Sequence, residues 1–267
     1  VIKIKKGLDI NLKGKASDVL LNGGKSDSYA IVPDYYNGIV PKVVAKVGEK
    51  VKAGSVLMID KNRPEIKFVS PVSGEVTAVN RGEKRKVLSV VVKPEAQIEY
   101  EDFGKKNVAS LKREEVKEAI LHAGMWPFIK QRPYDIVASP ADEPRDIFVS
   151  AFYSAPLAPN FDFVVKGQEV DFQTGWDALA KLTDGKVYVG IRKGSSVSVK
   201  GVETVEVEGP HPAANVGVQI NHIKPINKGE VVWTVNPADV IVIGRLFNKG
   251  IADFSRLVVI TGSETTE

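Results

Sequence analysis

Short β-branched runs recur along the first third of the chain, and their spacing limits what it can fold into. They cover residues 29–32, 43–47, 56–59, 66–69, 75–79 and 87–92, each bounded by glycine, proline or charged turn residues. Val, Ile and Thr favour pleated, half-buried surfaces, and breaks of this kind at regular intervals predict a compact all-β unit. Asn37-Gly38, Val47-Gly48-Glu49-Lys50, Ser73-Gly74 and Arg81-Gly82-Glu83 are its predicted turns.

The texture changes after Tyr100. Ser110, the acids Glu114 and Glu115, apolar residues at 116, 119, 120 and 123, and a closing Gly124 predict a helix with Ser110 as its N-cap. A second helix is expected over 167–182. Strands are expected over 146–151, 186–191 and 203–208, followed by strand-length apolar runs at 230–234 and 240–243. Alternation of this kind predicts an α/β layer structure. The expected division is a β sandwich over 1–100, an α/β domain over 101–257, and a polar, cut linker over 258–267.

Composition removes several chemistries. The 267 residues include no cysteine, so disulfides, thiolate metal sites, cysteine-held iron–sulfur clusters and thiol nucleophiles are excluded. No apolar run approaches the ~18 residues of a membrane-spanning helix, and the N-terminus lacks the apolar core of a signal peptide. The net charge of +4 is mildly basic. It forms no arginine-rich or aromatic-interleaved stripe, so nucleic acid is not an expected partner. Gly24-Lys25-Ser26 lacks the leading glycine of a phosphate loop, because position 19 is valine. No dinucleotide fingerprint and no nucleophile elbow occur. His122, His211 and His222 are expected in structural or surface roles, because a His211/His222 metal pair would need carboxylates that the sequence does not place beside it.

The segment from Val47-Gly48-Glu49-Lys50 through Ala53-Gly54, with Ser70-Pro71-Val72-Ser73-Gly74, resembles the biotinyl/lipoyl-carrier family of flattened β sandwiches. Such carriers present a lysine at a hairpin tip between these motifs. Lys61 holds that position, but Asn62-Arg63-Pro64-Glu65 lengthens the hairpin and the Met-Lys-Met signature is absent. The expectation is therefore a carrier fold with no covalent biotin or lipoate. A carrier modified at Lys61 is the alternative.

The whole chain resembles the A-subunit family of Na⁺-translocating NADH:quinone reductases. The resemblance runs through Ile4-Lys5-Lys6-Gly7-Leu8-Asp9-Ile10, Leu12-Lys13-Gly14, Lys67-Phe68-Val69-Ser70-Pro71, Val79-Asn80-Arg81-Gly82-Glu83, Gly185-Lys186-Val187-Tyr188-Val189, Glu208-Gly209-Pro210-His211-Pro212 and Asp239-Val240-Ile241-Val242-Ile243-Gly244-Arg245. It implies a peripheral component on the cytoplasmic face of the bacterial inner membrane, with the membrane and flavin-bearing subunits for partners. It also implies further β-grasp and helical parts beyond this sequence. The second half is similar to the flavin-binding subunit of respiratory complex I and to Rnf-type subunits, which suggests a Rossmann-like α/β fold. Their glycine-rich phosphate loop corresponds to residues 123–133 here, where Met125, Trp126, Pro127 and Phe128 replace glycines. No FMN, no iron–sulfur cluster and no other tightly bound cofactor is therefore expected, which argues against a stand-alone flavin oxidoreductase. Nor is the chain expected to be catalytic alone. Quinone is the candidate ligand, with His211 on its proline-flanked loop as donor and Trp126 and Phe128 as an aromatic wall.

Overall fold

Valines that alternate along 74–94 need a second sheet to cover them, and strands within residues 41–69 supply it. The computed structural model describes residues 1–12 and 17–262; Lys13, Gly14 and the last five residues, with part of the expected linker, lie outside the described residues. The strands of the first third are β1 (Ile2–Lys3), β2 (Tyr29–Ile31), β3 (Pro41–Val43), β4 (Lys50–Val51), β5 (Val56–Asp60), β6 (Lys67–Val69), β7 (Gly74–Arg81) and β8 (Val87–Pro94). One sheet has the order β2-β8-β7-β4 and the other β3-β5-β6. Leu57, Val76, Val90 and Val92 are buried between them. Met58, Ile66 and Phe68 belong instead to the large core of the second half. The β5–β6 hairpin is thus buried on both faces, and it welds the sandwich to the rest of the molecule.

The second half holds α1 (Arg113–His122), β9 (Lys130–Arg132), β10 (Ile136–Val137), β11 (Ile147–Ser150), α2 (Phe161–Val165), α3 (Glu169–Lys181), β12 (Val187–Arg192), β13 (Glu203–Glu208), α4 (Val216–Ile223), β14 (Val232–Thr234) and α5 (Pro237–Lys249). Their sheet has the order β1-β13-β12-β11-β14-β9-β10. The first five strands are parallel; β9 runs antiparallel to β14, and β10 antiparallel to β9. β1, from the very start of the chain, pairs with β13 at the sheet's edge, Ile2 opposite Val207.

Helices α3 and α5 pack on one face of this sheet at unusually close range. A Cβ on Gly175 would run into the Val240 carbonyl, and one on Gly244 into the Asp171 carbonyl, so the two backbones approach through glycine. α4 covers the other face, where Ile220 packs on Phe148 and Val232.

Two local expectations are corrected. Residues 240–243 are not a strand but the middle of α5, whose residues from Pro237 to Phe247 are buried apart from the half-buried Ala238. Asn236 caps this helix by accepting the Ala238 N–H, Pro237 stands at its first position, and Gly250 ends it with a left-handed φ of 72°. Ser110 does not cap α1. It sits in a preceding 3-10 turn, its hydroxyl donating to the Asn107 carbonyl, and the helix begins at Arg113 with the Lys112 N–H donating to the Glu115 carboxylate at 2.8 Å.

Candidate functional site

Strand order fixes where an α/β sheet leaves room for a ligand. From β11 the chain moves outward through α2 and α3 to β12 and β13. It then returns through α4 to β14, on the opposite side of β11. Loops leaving the carboxyl ends of β11 and β14 therefore diverge, and a crevice opens between them; this is the ligand position in open α/β sheets. A cleft of about 900 Å³ lies there.

Each wall has a separate structural origin. Phe152 and Tyr153 leave β11, Asn236 and Pro237 lead into α5, and the start of α4 closes one side. Phe128, Lys130 and Arg132 come from the turn before β9 and from β9 itself, while the sandwich contributes Tyr35 and Tyr36. Phe128 packs edge-on against Phe254 at 5.9 Å between ring centroids, and the Arg256 guanidinium lies 5.7 Å from the Phe128 ring.

Charge in the cleft is nearly, but not fully, paired. Arg256 donates to Asp239 at 2.6 Å, and Arg132 Nε lies 3.3 Å from Asp135 Oδ1. Lys130 is left over. Its Nζ lies 5.2 Å from the Tyr36 ring centroid and has no hydrogen-bond or ion-pair partner among the described residues. Burial lowers the Lys130 pKa, with Asp135 and Asp239 opposing that shift. Burial, reinforced by Asp239, raises Tyr36 and Tyr153, so both phenols stay protonated near neutral pH. Burial also raises Asp239, against the attraction of Arg256 and Lys130. The result is an aromatic-walled crevice with one uncompensated ammonium, suited to a planar ring bearing acceptor oxygens.

Of the three residues singled out for quinone contact, one lines this cleft. Phe128 forms part of its wall. Trp126 does not: it is fully buried, packs edge-on against Trp233, and donates its indole N–H to the Ala138 carbonyl at 2.8 Å. Its ring belongs to the core because the turn over 126–128 points it inward under the sheet. His211 stays outside the lining; its Nδ1 is 3.0 Å from Ser154 Oγ and its backbone N–H donates to Asp9. His222 lies inside α4 with its ring Nδ1 2.8 Å from the Val218 carbonyl. His122 ends α1, edge-on to Phe103, its pKa lowered by burial and by Lys67 and Lys106. No group of three or more metal-ligating side chains occurs among the described residues.

Residues 111–252 match the description NqrA second alpha/beta domain, and residues 2–95 match NqrA N-terminal barrel-sandwich hybrid domain. The chain belongs to the NqrA family. It is similar to the A-subunit of the Na(+)-translocating NADH-quinone reductase of Neisseria meningitidis serogroup A, with 37% identity over 272 aligned positions, covering 100% of this chain and 61% of that protein. The Hahella chejuensis counterpart, of the same name, is 37% identical over 98% of this chain and 60% of its own length. That of Yersinia pestis is 35% identical over 100% and 61%. The chain thus spans about three-fifths of the curated relatives it matches.

Two features bear on cofactors. The loop over residues 123–133, which the resemblance sets against a flavin-phosphate cradle, has most of its first N–H groups already committed. The N–H groups of Gly124, Met125, Phe128 and Ile129 already donate to Leu121, Ile120, Met125 and Trp126, and Pro127 has none to offer. The residues present do not fit a flavin phosphate there. Lys61 is exposed at the β5–β6 tip, but its neighbours are fixed. Buried Asp60 accepts from the Val40 and Asn62 N–H groups and from Arg63, which also donates to the Gly38 and Val137 carbonyls. Through Arg63 the hairpin is hydrogen-bonded to the α/β half at the Val137 carbonyl.

Proposed function

We propose that this chain is the front part of the NqrA component of a sodium-pumping NADH:quinone reductase, peripheral on the cytoplasmic face of the inner membrane and docked on the membrane and flavin-bearing subunits. The quinone ring enters the switch-point cleft between Phe128, Tyr36 and Tyr153, with Lys130 donating to a carbonyl oxygen. The observation that carries this is the unpartnered Lys130 ammonium set among aromatic walls at the sheet's switch point. No flavin, iron–sulfur cluster or covalent biotin or lipoate is assigned to the chain. Its part is to bind and position.

The reading is tested by calorimetric titration with a short-tailed quinone. Saturable binding is expected. Lys130→Met weakens it by about 10–100-fold, the value of a charge-assisted hydrogen bond, and Phe128→Ala by roughly tenfold. His211→Ala leaves it within about twofold. Loss in His211→Ala with Lys130→Met unchanged moves the contact to the 209–212 loop and overturns the assignment.

A further inference from the structure

Lys130 serves one side of the cleft. It is the first residue of β9 and pairs with Thr234 of β14, which pairs in turn with Phe148 of β11. Tyr153 follows three residues after β11 ends at Ser150, so β14 runs between the strands that carry the two side chains. Neighbouring strands lie about 4.8 Å apart, which sets the tracks of β9 and β11 about 10 Å apart.

The Tyr153 hydroxyl has a proton to give. It donates to Asn236 Oδ1 at 3.3 Å, a long bond for an O–H donor. That oxygen is already satisfied, because it accepts the Ala238 N–H at 3.0 Å in capping α5. Burial keeps the phenol protonated, and its ring packs edge-on against Phe161 at 6.1 Å between centroids. Turning the proton to a ligand forfeits one weak bond and leaves the helix cap intact. Tyr36 is also a protonated phenol, but the Lys130 ammonium lies 5.2 Å from its ring centroid, so it belongs to the Lys130 side.

A ring with carbonyls on opposite carbons needs a donor at each end. Its oxygens are about 5 Å apart, and a hydrogen bond of about 2.8 Å at each end sets the donors about 10–11 Å apart. Donors carried on strand tracks separated by β14 suit that span.

We propose that the Tyr153 hydroxyl is the second donor of the cleft, bonding the carbonyl opposite the one that Lys130 holds. This rests on the quinone reading above, which makes Tyr153 a wall and gives its hydroxyl no part.

The test is calorimetric titration with two probes of similar size: the para isomer of naphthoquinone, with two opposed carbonyls, and α-tetralone, with one. The parent is expected to bind the quinone about three- to tenfold more tightly, the value of one neutral hydrogen bond. Tyr153→Phe keeps the ring and is expected to abolish that preference, with tetralone binding within about twofold of the parent as the sign of an intact fold. Lys130→Met weakens both probes, and Tyr36→Phe keeps the preference. Failure of the parent to bind either probe overturns the cleft reading together with this one. Binding that depends on Lys130 overturns the Tyr153 assignment alone if the parent shows no preference, if the preference survives Tyr153→Phe, or if Tyr36→Phe removes it instead.

Discussion

Replacing Arg256 by methionine removes the cation that faces a buried carboxylate in the cleft. Asp239 stands at the third position of α5, is only 8% accessible, and accepts from Arg256 at 2.6 Å. Breaking a fully buried ion pair costs about 3–5 kcal/mol. The Arg256 side chain keeps 39% of its surface in water, so the pair is partly screened and the loss is smaller, about 2 kcal/mol at pH 8. The sign with pH follows from Asp239. Its folded pKa is raised by burial above its unfolded value, so its ionised form is disfavoured in the fold. That penalty is absent below the unfolded pKa of about 3.9 and complete above the folded one. Removing Arg256 raises the folded pKa further. The deficit of Arg256→Met against the parent therefore grows as pH rises from about 4 and shrinks on acidification. Thermal melts at pH 5 and pH 8 read it, as a drop of roughly 4–8 °C at pH 8 and clearly less at pH 5. Asp239→Asn added to Arg256→Met recovers most of the loss. A deficit that is the same at both pH values, or a double variant no more stable than the single one, refutes the reasoning.

Gly244→Ala forces α5 away from α3, because its Cβ meets the Asp171 carbonyl; overpacking predicts a loss of about 1–3 kcal/mol by denaturant titration. Asp60→Ala leaves the Val40 and Asn62 N–H groups and the Arg63 Nε–H without their acceptor, which predicts a loss of about 3 kcal/mol and faster proteolysis at the 60–66 hairpin. Lys61→Ala, at an exposed tip, changes stability by less than about 0.5 kcal/mol, and intact mass shows no biotinyl or lipoyl increment on the parent.

Much of the fold is legible in local pattern. The strands from β5 to β8, and β11, β12 and β13, carry alternating or continuous β-branched runs bounded by turn residues, and α3 shows helical spacing. Residues 240–243 mislead because α5 is buried almost all round. Such a helix has no polar face, so four consecutive β-branched residues read as a strand. The true signal lies outside the run, in Asn236-Pro237 before it and Gly250 after it. β1 belongs to the large sheet through its pairing with β13, some 200 residues away, and local periodicity holds no trace of that.

The site is legible only in part. Aromatic residues near 126–128 stand out, yet which ring faces the cleft depends on the turn: Trp126 goes to the core and Phe128 to the wall. Lys130, Tyr36 and Asp239 carry no signal of their own. They meet because the strand order reverses at β11 and the sandwich packs beside it, both properties of the assembled sheet.

The most direct test of the cleft is to titrate a short-tailed quinone into ¹⁵N-labelled protein and map the backbone amide shifts. Saturable shifts clustered at residues 35–36, 128–132, 152–153 and 234–239 are expected if the ring enters between Phe128, Tyr36 and Tyr153. Shifts confined to the 209–212 loop, or none at saturating quinone, would contradict it.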